Sequence, residues 1–128
     1  MTTVQRVAQL FGWIFVIVGV IGLYYAHTMQ MGLLLGVFPV NLLHNVVHIV
    51  FGIWGIMAAR SFGAAKTFAT VGGVIYLVLA VVGYFVPGMA FGLLPLGGND
   101  IWLHALLGII LVAVGVSARP ATAEPATV

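Results

Sequence analysis

Residues 32–52 read GLLLGVFPVNLLHNVVHIVFG, and residues 88–108 read GMAFGLLPLGGNDIWLHALLG. The two stretches share one pattern at an offset of 56 residues, G-x3-G-x2-P-x8-H-x3-G. Gly32, Gly36, Pro39, His48 and Gly52 carry the first copy; Gly88, Gly92, Pro95, His104 and Gly108 carry the second. Each copy runs into an apolar segment long enough to cross a membrane as a helix, so the repeat predicts a fold of two like halves. A histidine repeated inside such segments marks a candidate functional site, because ionisable groups are costly in hydrocarbon.

The composition points the same way. The 128 residues are 63% hydrophobic and 5% charged, more apolar surface than a soluble domain of this length can bury. The class is integral membrane protein. The chain has no cysteine, which excludes a disulfide framework and a thiolate metal site. A net charge of +2, scattered along the chain, excludes a nucleic-acid surface.

Apolar segments fall at about residues 7–26, 40–59, 67–86 and 101–116. Arg6 precedes the first, as in a signal peptide, but that segment has the length of a full span and lacks an A-x-A-like cleavage site. It is expected as a retained helix. None of the four alternates like a barrel strand, so each is read as a helix. The expected fold is all-α: a four-transmembrane-helix bundle made of two tandem helical hairpins. The single domain spans 1–118, with repeat halves at about 5–60 and 61–118. A pseudo-two-fold axis along the membrane normal would relate the halves. Residues 119–128, with Pro120, Glu124 and Pro125, are expected to be a disordered cytoplasmic tail.

Arg6, Arg60, Lys66 and Arg119 all flank one side of this arrangement. The positive-inside rule makes that side cytoplasmic, with both termini inside. His27, His44, His48, His104, Asn41, Asn45, Asn99 and Asp100 then gather in the outer half. At 100° per residue, Asn41, His44, Asn45, His48, Gly52 and Gly55 form one stripe. Small-residue stripes on the other helices, Gly12, Gly19 and Gly22 among them, predict close packing with the polar stripe turned inward. A rise of about 1.5 Å per residue places His44 and His104 roughly 22–24 Å from the inner boundary, His48 roughly 18 Å and Tyr76 roughly 15 Å. Tyr76 is therefore expected to bond its hydroxyl to the cluster. Asp100 stands at the repeat position of His44 and is expected to accept a hydrogen bond from His44 or His27. Asn99 or Asp100 should cap the fourth helix, and Pro39 should open the second.

The motifs N-L-x-H-N-x-x-H, beginning at Asn41, and N-D-x-W-L-H, beginning at Asn99, carry a resemblance. The chain resembles a bacterial family of small four-helix membrane proteins known only as a domain of unknown function, over roughly residues 5–118. The resemblance implies the fold and the bacterial inner membrane, and no activity comes with it.

Four chemistries suit the cluster. In the first, Asn and His side chains tie the bundle together across helices, and the protein is a non-enzymatic structural or accessory subunit. It would sit in the lipid bilayer and dock onto a larger membrane complex or a second copy of itself. In the second, His48 and His104, with His44, hold a tetrapyrrole such as haem or a chlorophyll-type pigment. In the third, His44, His48, His104 and Asp100 hold a metal ion. The remaining polar members are Asn41, Asn45, Tyr76, Asn99 and His27. In the fourth, His27, His44, His48, His104 and Asp100 form a titratable chain for proton or small-molecule handling; transfer across the membrane is disfavoured because the inner half offers mainly Gly, Ala and Tyr76, which leaves a sensor or a periplasm-facing ligand pocket. Enzymatic function is not expected: Asp100 is the only acid outside the tail, and Ser61 and Ser117 lie on the side away from the histidines.

Overall fold

A computed structural model describes residues 1–25 and 32–121. Four helices and two short hairpins alternate: α1 (Thr3–Tyr25), β1 (Gly32–Leu34), β2 (Phe38–Val40), α2 (Leu42–Ala58), α3 (Phe62–Phe85), β3 (Gly88–Ala90), β4 (Leu94–Leu96) and α4 (Asn99–Ser117). Helices α1, α3 and α4 are long and apolar enough to cross a membrane. Helix α2 is apolar but shorter, at 17 residues. It rises about 25 Å, less than the roughly 30 Å of a hydrocarbon core, and the first hairpin continues its outer end.

The two long connections are β-hairpins, which the all-α expectation did not contain. Strand β1 pairs antiparallel with β2, Leu33 opposite Pro39. Strand β3 pairs with β4, Met89 opposite Pro95. The two registers coincide at the 56-residue offset, so the repeat is a repeat of structure as well as of letters. Each turn places two successive residues at positive φ: Leu35 at 54° and Gly36 at 73°, then Phe91 at 55° and Gly92 at 69°. Glycine is at ease there and a bulky residue is not. Leu35 and Phe91 are also 72% and 88% exposed.

Each half packs helix against helix at glycine. A Cβ on Gly52 would lie 2.6 Å from the Gly12 carbonyl oxygen across the α1–α2 seam. A Cβ on Gly108 would lie 2.9 Å from the Gly73 carbonyl oxygen across the α3–α4 seam. Only a hydrogen side chain permits such backbone approach. The halves meet over a core containing Val4, Phe15, Phe68, Tyr76 and Leu111. Many large apolar side chains of all four helices face outward, among them Ile17, Val50, Val78 and Ile109, which is the surface a lipid bilayer covers.

The end of the bundle carrying Arg6, Arg60 and Lys66 is closed by short tethers. Gln5 Nε2 donates to the Ala59 carbonyl at 3.0 Å, and Lys66 Nζ donates to the Ala118 carbonyl at 3.4 Å. Ser61 caps α3, its Oγ accepting from Ala64 N at 3.3 Å. Most of the proposed tail, residues 122–128, lies outside the described residues, as does His27.

Candidate functional site

The site sits under the hairpins, at the end of the bundle opposite the basic residues. Asn41 begins it. In extended conformation it caps α2, its Oδ1 accepting from His44 N at 2.9 Å. Its Nδ2 donates to the Leu93 carbonyl at 2.8 Å. One buried amide thus starts the helix that carries His44 and ties the first half to the second hairpin. Pro39 does not open α2; it lies within β2, because the chain is still extended there.

Helix α4 begins without a side-chain cap. Gly98, at φ 59°, holds the N-cap position, and neither Asn99 nor Asp100 caps it. The glycine pair turns the chain sharply enough to put Asp100 inside the first helical turn. Its carboxylate meets the positive end of the helix dipole, and one turn later His104 stacks above it. His104 Nδ1 lies 2.7 Å from the Asp100 carbonyl oxygen and 3.2 Å from Asp100 Oδ2. The shorter and better-directed contact is the carbonyl, so Oδ2 keeps no hydrogen-bond partner of its own.

Across the bundle, one potential ligand atom from each of His44, Asp100 and His104 falls within 4.8 Å of the others, and all three residues are buried. The rings of His44 and His104 are 6.3 Å apart between centroids. Asp100 is therefore paired with His104 on its own helix and grouped with His44 across the bundle. The expected hydrogen bond from His44 is not formed among the described residues; the Asp100 carboxylate instead lies 3.2 Å from His104 Nδ1, one turn along its own helix.

His48 stands beside this trio. Its ring centroid is 4.6 Å from that of His44, and its plane lies 3° from that of Phe15 at 5.8 Å. Tyr76 joins through its ring, not its hydroxyl: the ring is 4.8 Å from that of His104 and 5.3 Å from that of Phe15. No hydrogen bond of the Tyr76 hydroxyl occurs among the described residues. Asn45 is buried against α1 where Gly22 leaves room for its amide. Asn99 is exposed and stands outside the cluster.

Phe15 is the member that the sequence reading missed. It lies at helical spacing between Gly12 and Gly19, on the stripe read only for its small residues, and it fills the gap those residues leave. Together with Phe51 and Tyr76 it forms an aromatic floor beneath the histidines.

Among the described residues, five buried polar atoms have no hydrogen-bond partner: His44 Nδ1, His48 Nδ1, Asn45 Nδ2 and Oδ1, and Asp100 Oδ2. Each such atom costs about 1–3 kcal/mol if left unpaired. Asp100 is the only carboxylate side chain among the described residues, is 4% exposed, and has no Lys or Arg near it. A buried carboxylate with only imidazoles beside it calls for a cation or a proton. Two cavities reach the cluster, of about 50 and about 130 Å³. Both are smaller than the roughly 300 Å³ at which pockets for larger organic ligands begin, so the residues fit an ion better than a haem or a chlorophyll-type macrocycle.

These features define a small multi-pass helical membrane protein with a covered His/Asp cluster at one end. The chain belongs to the family described as domain of unknown function DUF4383, which it matches over residues 5–117. Neither the curated proteins nor the solved structures contain a match to it.

Proposed function

We propose that the protein is a non-enzymatic metal-binding protein of the bacterial inner membrane. His44, His104 and Asp100 would hold one divalent transition-metal ion in the outer half of the bundle. The observation that carries this reading is the convergence of three potential ligand atoms within 4.8 Å, with Asp100 Oδ2 and His44 Nδ1 lacking a hydrogen-bond partner among the described residues. Two imidazoles and a carboxylate suit zinc and its neighbours in the first transition row. The supporting groups are also in place. His104 Nδ1 is engaged by the Asp100 carbonyl, and the Pro95 backbone stands beside the His44 ring. A ligating imidazole needs such a partner for its other nitrogen.

Ser61 caps a helix and Ser117 donates to the Ala113 carbonyl of its own helix at 2.6 Å, both remote from the histidines. The four basic residues flank one end, and the positive-inside rule supports an orientation with both termini in the cytoplasm and the cluster toward the periplasm. Matching hairpin registers support a pseudo-two-fold relation between the halves.

Elemental analysis of protein purified in mild detergent tests the reading. It predicts close to one transition-metal ion per chain after equilibration with zinc, and loss of that ion in His104→Ala. Wild-type protein that stays metal-free after equilibration would refute it.

A second reading, a structural or accessory subunit, rests on Asn41, whose amide bridges α2 to the second hairpin. It predicts a metal-free protein that co-purifies with a larger membrane complex or with a second copy.

A further inference from the structure

The trio of ligands leaves one coordination position to account for. Zinc and its neighbours take four ligands in a closed structural site, whereas three protein ligands leave a position open. Among the described residues, His48 is the remaining histidine beside the trio, its ring centroid 4.6 Å from that of His44, but it is not part of the group that converges within 4.8 Å. Its ring lies parallel to Phe15, and its Nδ1 is buried without a partner.

Two cavities border the ligand trio. The larger cavity, about 130 Å³, opens among α1, the first hairpin and α4. Its walls include Val18, Leu34, Phe38 and Leu103, and it reaches His44, His48 and Asp100. The smaller cavity, about 50 Å³, approaches His44, His48 and His104 from the α2–α3 side. The polar groups lie together and the remaining walls are apolar.

Charge and volume narrow the occupant. A divalent ion with one carboxylate and two neutral imidazoles carries a net +1. In a low-dielectric surrounding, a monoanionic fourth ligand brings the site to neutrality and removes the cost of a buried charge. The larger cavity, at about 130 Å³, is well below the roughly 300 Å³ at which pockets for larger organic ligands begin, so a small anion suits it better than a drug-sized ligand.

We infer that the cluster is an open coordination site, which binds a small monoanion at the metal through the cavity bounded by Val18, Leu34, Phe38 and Leu103. His48 Nδ1, beside the bound anion, offers it a hydrogen-bonding partner. This inference rests on the metal reading above and is separable from it.

Cobalt(II) provides the test, because its visible bands report coordination number and ligand type. Detergent-purified protein is loaded with cobalt(II) and titrated with azide, a three-atom monoanion. The expected result is a saturable change in the cobalt bands at one azide per cobalt. Leu34→Trp, which fills the cavity, should keep the azide-free cobalt spectrum and bind azide roughly tenfold more weakly or worse. Leu103→Phe, a gentler filling, should act in the same direction if the tryptophan variant does not fold. A cobalt spectrum that ignores azide overturns the open site and leaves the metal reading standing. Azide binding undiminished in a folded filled variant overturns the cavity route. Failure of cobalt to bind at all overturns both.

Discussion

Gly52→Ala is the smallest change that probes how the first half is held together. A Cβ at this position would stand 2.6 Å from the Gly12 carbonyl oxygen, and 2.7 Å from both the amide nitrogen and Cγ2 of Val16. Ordinary contact begins near 3.4 Å, so α1 and α2 must separate locally by about 0.8 Å. Two of the three nearest atoms belong to backbone and cannot swing aside. Overpacking of this kind costs about 1–3 kcal/mol, while the helix propensity of alanine returns up to about 1 kcal/mol. The net expectation is a loss of roughly 1–2 kcal/mol, which for a chain of this size lowers the melting temperature by on the order of 5 °C. The assay is thermal unfolding in mild detergent, followed by circular dichroism. Gly63→Ala is the control: nothing lies within 4 Å of a Cβ there, and propensity alone should leave it as stable as wild type or slightly more so. If Gly52→Ala melts at or above wild type while Gly63→Ala behaves as expected, the backbone-to-backbone seam is wrong.

Further outcomes follow from single groups. Asn41→Ala removes both the cap of α2 and the bond to the Leu93 carbonyl; a loss of about 2–3 kcal/mol is expected, read by the same melts, and an unchanged melt would deny the tether. Asp100→Asn keeps the shape of the side chain and removes its charge, so metal affinity should fall by at least roughly 100-fold with the helical spectrum intact; unchanged zinc competition against a chromophoric chelator would remove Asp100 from the ligand set. Leu35→Gly relieves a bulky residue at φ 54° and should raise stability by up to about 1 kcal/mol; a lower melt would mean that the exposed leucine contributes more than its strain costs. Because the chain lacks cysteine, single cysteines at Ser61 and Gly36 should be modified by a membrane-impermeant thiol reagent from opposite faces of oriented vesicles, and labelling from the same face would refute the span count.

Much of the bundle is legible in the chain because hydropathy and small-residue spacing are long-range signals. All four helices overlap the expected apolar segments, and Gly12, Gly52 and Gly108 lie in the seams that small residues predicted. The hairpins were hidden because 32–40 and 88–96 are apolar on both faces and lack the alternation of a half-buried strand. Their signal was the repeated Gly36 and Gly92, now seen as the turn glycines. On α2 the polar stripe was readable, since one helix fixes the relative directions of Asn41, His44, Asn45 and His48. Which of these meets Asp100 depends on how the two halves are rotated against each other, and no local pattern encodes that. The sequence therefore paired His48 with His104 by repeat symmetry, while the packed bundle groups His44 with His104. Asp100 at the repeat position of His44 was the visible break in symmetry, and it falls where the two halves bring unlike groups to one point.

X-ray absorption at the zinc edge, on zinc-loaded protein in detergent, tests the central claim most directly. The account predicts a shell of nitrogen and oxygen at about 2.0–2.1 Å, with the outer-shell scattering of two imidazole rings, and loss of one ring in His44→Ala. A spectrum indistinguishable from zinc in buffer, without imidazole scattering, would contradict it.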